Sequence, residues 1–140
     1  MTRLHHADED QRKQIRERLA SVLAGDPCLG FAYLYGSFVE RIPFRDVDVA
    51  AWVKPETGAG MSLLDYELDL GVRLQRLLRV PVDVRTLNNA PLAFRYHATR
   101  GVLLFSHDEE MRSALVETWR HAYWDYQPVA RRHLLEVLRG

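Results

Sequence analysis

Cysteine is nearly absent from these 140 residues. Cys28 stands alone, so it cannot close an internal disulfide; its Asp-Pro-Cys setting has no metal-ligand spacing, and it reads as a buried or half-buried inert thiol. Lysine is almost as scarce, with only Lys13 and Lys54; the other basic residues are arginines. Nineteen basic residues balance nineteen acidic ones. That balance argues against a broad nonspecific nucleic-acid footprint, and no direct nucleic-acid contact is expected. No apolar run approaches a membrane span, and the opening MTRLHHADED is polar rather than signal-like, so a cytoplasmic protein without membrane contact is expected. Repeats, low-complexity tracts and long linkers are missing too. His5, His6, His97, His107, His121 and His133 are scattered without zinc spacing.

What is present is ordinary globular material, 47% hydrophobic and 27% charged. The length predicts one domain, residues 1–140, that buries about two thirds of its unfolded surface. A packing helix is predicted over 7–25, with Ile15, Leu19, Val22 and Leu23 at helical spacing and Gly25-Asp26-Pro27 as its stop. Leu29 to Tyr35 reads as a strand, Ser37 to Arg41 as a short helix or turn, and Asp46 to Val53 as a second strand. Lys54 to Gly60 is a loop by its proline and glycines. Leu63, Tyr66, Leu70, Leu74 and Leu77 mark an amphipathic helix before a third strand, Val80 to Leu87. A short helix capped by Asn89 and closed by Gly101 leads to a fourth strand, Val102 to Phe105. Ser106-His-Asp-Glu109 has the form of a capping box, opening a last helix over 107–138 with Met111, Leu115, Trp119, Ala122 and Tyr126 on one stripe; Pro128 is expected to kink or end it. The order predicts an α/β (α+β) fold, a small mixed sheet of about four strands with flanking helices.

Chemistry concentrates in Tyr35 to Val53, YGSFVERIPFRDVDVAAWV. Gly36-Ser37 follows a strand, where glycine permits close backbone approach and free N–H groups with the Ser37 hydroxyl could hold a phosphate. Strand alternation then points Asp46 and Asp48 to one face, roughly 6.6 Å apart along the strand, while Val47 and Val49 face the core. Two anions side by side call for a cation, and hard oxygen ligands favour Mg²⁺ together with phosphate oxygens. Asp83, an acid among apolar neighbours, is either solvated at a sheet edge or a third carboxylate converging on the first two; the second reading is preferred.

This stretch resembles the nucleotidyltransferase signature of the DNA polymerase beta superfamily, a Gly-Ser followed by Asp-x-Asp on the next strand. Asp83 to Leu92, then Phe94-Arg95-Tyr96 and Gly101 to Phe105, resemble the continuation seen in MNT-domain proteins, the minimal nucleotidyltransferases of toxin–antitoxin pairs. The resemblance spans about Phe31 to Tyr126. It implies a nucleotidyltransferase fold with Asp46, Asp48 and Asp83 as catalytic and metal-binding residues, two Mg²⁺ ions, ATP as substrate, and Gly36 and Ser37 on the departing phosphates. It also implies an antitoxin that transfers AMP to a tyrosine of a HEPN-domain ribonuclease toxin, with Asp83 as the base for that hydroxyl. A binding-only antitoxin, a small-molecule adenylyltransferase and a homo-oligomer stay open.

Overall fold

The computed structural model describes residues 7–39, 44–55 and 62–139; side chains are described as far as Tyr126, and beyond it for residues 132 and 135–137. The expected Ser37–Arg41 segment and the Lys54–Gly60 loop therefore lie partly outside the described residues. Eight elements follow in order: α1 (Glu9–Ala24), β1 (Leu29–Tyr35), β2 (Val47–Val53), α2 (Leu63–Leu78), β3 (Val82–Thr86), α3 (Leu92–Ala98), β4 (Val102–Ser106) and α4 (Glu109–Arg139). The strands form one mixed sheet in the order β3-β2-β1-β4. β1 runs antiparallel to both β2 and β4, while β2 and β3 are parallel.

Local chemistry sets the helix starts. Asp8 accepts from the Gln11 amide and Gln11 returns a bond to the Asp8 amide, a reciprocal cap that starts α1 two residues inside the expected 7–25. Ser62 caps α2 by accepting from the Asp65 amide at 3.1 Å. Two expected caps are not used. Pro91, not Asn89, precedes α3, and no side chain caps it. Ser106 is the last residue of β4, paired with Phe31, so extended pairing takes it out of helix-capping geometry. Asp108 takes over, accepting from the Met111 amide at 3.0 Å, and α4 starts at Glu109 rather than 107. Nor does Pro128 end α4, which continues to Arg139; a proline removes one backbone donor but its fixed φ is helical.

The pleat sorts the strand side chains into two faces. Leu34, Val47, Val49, Ala51, Val53 and Val84 join Leu19 and Leu23 of α1 and Tyr66, Leu70, Leu74 and Leu78 of α2 in an aliphatic core. Leu78 rather than Leu77 completes the α2 stripe, because it lies four residues beyond Leu74; Leu77 is exposed. On the other face Phe31, Tyr33 and Ala50 pack with Leu87, Ala98, Val116 and Trp119, and with Trp52, Phe94 and Met111 at the margin. The α4 stripe ends early: Trp119 is buried, but Ala122 and Tyr126 are exposed. A 31-residue helix spans about 46 Å, twice the length of a seven-residue strand, so its second half outruns the sheet.

Candidate active site

The site lies where β1 ends and β2 and β3 begin. Tyr35 is the register partner of Asp48, and Asp48 is in turn the register partner of Asp83. Tyr35, Asp48 and Asp83 thus stand side by side across three strands on the aromatic face, at the margin of the cluster that α3 and α4 cover. Asp46 is half-buried immediately before β2. Burial, and after it the charges of Asp46 and Asp83, push the Asp48 carboxyl up to about 6 from its ordinary 3.8, against the pull of Arg85. Asp46 and Asp83 are therefore both within electrostatic reach of Asp48. Burial, then Asp48 and Asp83, likewise raise the Tyr35 phenol above its ordinary value.

Gly36 is fixed by two constraints. Its φ is +83°, a region L side chains rarely adopt, and a Cβ there would fall 2.3 Å from Asp48 Oδ2. The backbone turn and the carboxylate thus occupy the same small space. Ser37 follows in a turn over residues 37–39, closed by the Val39 amide donating to the Gly36 carbonyl at 3.1 Å. Arg12 of α1 steadies this turn: Nη1 donates to the Phe38 carbonyl at 2.5 Å, and the guanidinium lies 5.0 Å and 5.3 Å from the Phe38 and Phe44 ring centroids. Those two buried rings meet edge to face at 4.9 Å, so both flanks of the chain from the Gly-Ser turn to Asp46 are anchored.

Among the described residues, no three Asp, Glu, His or Cys side chains are arranged so as to hold a metal ion by themselves. The carboxylates are neighbours in charge rather than a ready-made cage. Two further residues join the site that the motif did not mark. Arg85 shares a face with Asp83, with Nε 3.5 Å from Asp83 Oδ2, and its guanidinium lies 5.7 Å from the Phe94 ring centroid. Phe94 meets Tyr35 edge-on at 5.4 Å. Alternation from Asp83 was sufficient to place Arg85 on that face; Phe94 comes from α3 and carries no local signal.

A strand pair bearing Gly-Ser and Asp-x-Asp, with a third acid on the adjacent parallel strand, is the arrangement that the resemblance to nucleotidyltransferases leads one to expect. The chain belongs to the polymerase beta nucleotidyltransferase family, whose model matches residues 17–110. Several solved structures share the fold. A chain of the Shewanella oneidensis complex of tri-AMPylated HEPN toxin with MNT antitoxin gives a TM-score of 0.68 at 16% identity, over 92% of this chain and 99% of that one. A toxin–antitoxin crystal structure with AMP-PNP gives 0.68 at 16% identity, over 90% and 98%. The MntA–HepT toxin–antitoxin crystal structure gives 0.65 at 18% identity, over 91% and 99%. No curated protein matches the sequence.

Proposed function

We propose that this protein is a Mg²⁺-dependent antitoxin of the cytoplasm that transfers AMP from ATP to a tyrosine of a HEPN-domain toxin. The observation that carries the reading is the row of three carboxylates beside a left-handed glycine, with Asp48 held near pKa 6 by its own burial and its neighbours. Folding has placed acids together against their mutual repulsion, an arrangement that cation binding relieves. The solved neighbours support the rest, since one holds a tri-AMPylated HEPN toxin and another holds AMP-PNP.

The donor set suits a small hard cation. Asp46 and Asp48 supply carboxylate oxygens, and Mg²⁺ characteristically completes its shell with water and phosphate oxygens. When bound, Mg²⁺ neutralises charge developing on the entering and leaving oxygens. Gly36 and the Ser37 hydroxyl hold the β- and γ-phosphates against the end of β1. Asp83 accepts the proton of the acceptor hydroxyl, whose reference pKa near 10 otherwise leaves it a poor nucleophile at neutral pH. The acceptor oxygen then forms a bond to the α-phosphorus as the bond to the bridging oxygen breaks, and pyrophosphate leaves with the electron pair.

Label transfer from α-labelled ATP with Mg²⁺ in host lysate tests this, against the Asp46→Asn, Asp48→Asn double variant. A discrete labelled protein band, lost in the variant, is the expected result. Absence of transfer with Mg·ATP binding intact would replace the enzyme with a binding-only antitoxin, and label on a small molecule alone would remove the protein acceptor.

A further inference from the structure

Period two operates in β3 as it does in β2. Asp83 and Arg85 point to one face, Asp83 beside Asp48 and Arg85 beside Ala50, so Arg85 stands one row deeper, toward Tyr33 and the aromatic core. A long side chain at a sheet edge is free to extend into water. This one turns over the site instead: Nε comes to 3.5 Å from Asp83 Oδ2, and the guanidinium carbon lies 5.7 Å from the Phe94 ring centroid, within cation–π range. Phe94 in turn meets Tyr35 edge-on at 5.4 Å, and Tyr35 is the register partner of Asp48.

The charges around the carboxylates are unequal. Among the described residues, Arg85 is the cation that opposes Asp46 and Asp83 at Asp48, and the one that opposes Asp48 and Asp83 at Tyr35. Three ionised acids against one guanidinium leave an excess of two negative charges, which one divalent ion balances. The contact that Arg85 makes is weak. An approach of 3.5 Å is too long for a strong charge-assisted hydrogen bond, and the Arg85 and Asp83 side chains are 61% and 46% exposed, so water screens the pair. A guanidinium spreads a single charge over a plane, whereas Mg²⁺ concentrates two on a small sphere.

We propose that Arg85 is a positioning residue whose guanidinium stands beside Asp83 in place of a cation in the nucleotide-free protein, and that a divalent ion must displace it to use that carboxylate. The inference rests on the reading of these acids as a cation site. The nucleotide-free chain then takes up free divalent ions poorly, and the ion enters with the triphosphate. Phosphate oxygens supply the ion with further ligands and the displaced guanidinium with an acceptor. The Phe94 ring keeps the guanidinium at the margin of the site when it leaves Asp83.

Mn²⁺ binding to the full, nucleotide-free chain, read from the loss of the free-ion EPR signal, tests this without turnover. Arg85→Gln should bind Mn²⁺ about two- to fivefold tighter than the unsubstituted protein, the range that an exposed ion pair can supply. Arg85→Lys keeps the charge and should stay close to the unsubstituted protein. In an Asp83→Asn background, where the guanidinium has no carboxylate to hold, Arg85→Gln should lose most of its gain. The Arg85 side chain is largely exposed, so its variants leave the core packing intact. Unchanged or weaker Mn²⁺ binding by Arg85→Gln would overturn the proposal. So would an equal gain in Arg85→Lys, or an undiminished gain in the Asp83→Asn background, which would make Arg85 a distant charge only. Failure of the underlying reading would look different: none of these proteins would take up Mn²⁺, with or without α,β-methylene ATP, and the inference would fall with the cation site.

Discussion

The two faces of the sheet are built from different material and leave different amounts of surface for chemistry. The α1/α2 face is largely aliphatic and tightly packed at its centre: Leu19, Leu23, Val47, Val49, Leu70 and Leu74 are each at most 1% exposed. The α3/α4 face is aromatic and only half covered. Phe31, Tyr33, Trp52 and Trp119 fill one end, with Phe31 and Trp52 stacked at 6.1 Å and Trp52 and Trp119 tilted against each other at 5.9 Å. At the other end the same pleat carries Tyr35, Asp48, Asp83 and Arg85. Alternation thus separates stability from function across a single backbone: one residue back along the chain exchanges Val47 for Asp46 and Val49 for Asp48.

Truncation should expose that division most strongly. Leu70→Ala is expected to cost about 2–5 kcal/mol and Trp119→Ala about 3–5 kcal/mol in urea denaturation, since both vacate closely packed space. Yet Leu70 faces away from the carboxylates, so the fraction of Leu70→Ala that remains folded should bind Mg·ATP with unchanged affinity. A weakened affinity there would show that the faces are coupled through the sheet.

Gly36→Ala attacks the other side of the comparison. A left-handed alanine costs about 1–2 kcal/mol, a modest loss beside the core truncations. Its methyl group, however, would meet the Asp48 carboxylate at 2.3 Å and displace it. Displacement on the ångström scale is expected to reduce AMP transfer about 100-fold, measured on labelled acceptor, with the melting transition still cooperative. Transfer within threefold of the unsubstituted protein would mean that Asp48 has no fixed position to lose.

Much of this arrangement is legible in the residue order. β1 occupies Leu29–Tyr35, the segment expected from an apolar run punctuated by Pro27 and Gly36, and period two alone puts Asp48 on the face opposite Val47 and Val49, although β2 begins at Val47 and leaves Asp46 outside the strand. Asp83 needed more, because its place depends on parallel pairing between segments that α2 separates, and only the register sets it beside Asp48. The Arg85 guanidinium over the Phe94 ring, the Glu67 carboxylate accepting from the Thr86 amide and the Arg12 brace on Phe38 are side-chain contacts between distant elements. No periodicity records them. The misplaced caps have a similar origin: Ser106 has the right neighbours for a capping box, but sheet pairing holds it in a strand first.

The smallest effect sharpens the comparison most, because it should appear only on the open face. Asp48 has its carboxyl near pKa 6 in the folded chain, against an ordinary value of 3.8, with Asp46, Asp83, Arg85 and Tyr35 as its charged or titratable neighbours. Between those two values the native state binds more protons at Asp48 than the unfolded state does. Stability from this group is therefore fully present below about pH 4 and is lost as pH rises through 6. Asp48→Asn removes the ionised form, so in metal-free buffer the variant should melt higher than the unsubstituted protein at pH 7.5, and that gap should shrink by pH 5. Half-burial and solvent screening limit the gap to the order of 2 °C. Carboxylates away from Asp48 titrate alike in both proteins and cancel in the difference, while the relief of Asp46 and Asp83 in the variant acts in the same direction. Saturating Mg·ATP should reverse the order at pH 7.5 by stabilising the protein that retains the carboxylate. A gap that is the same at both pH values would remove the repulsion at Asp48 from the account of why this end of the sheet is left open for a cation.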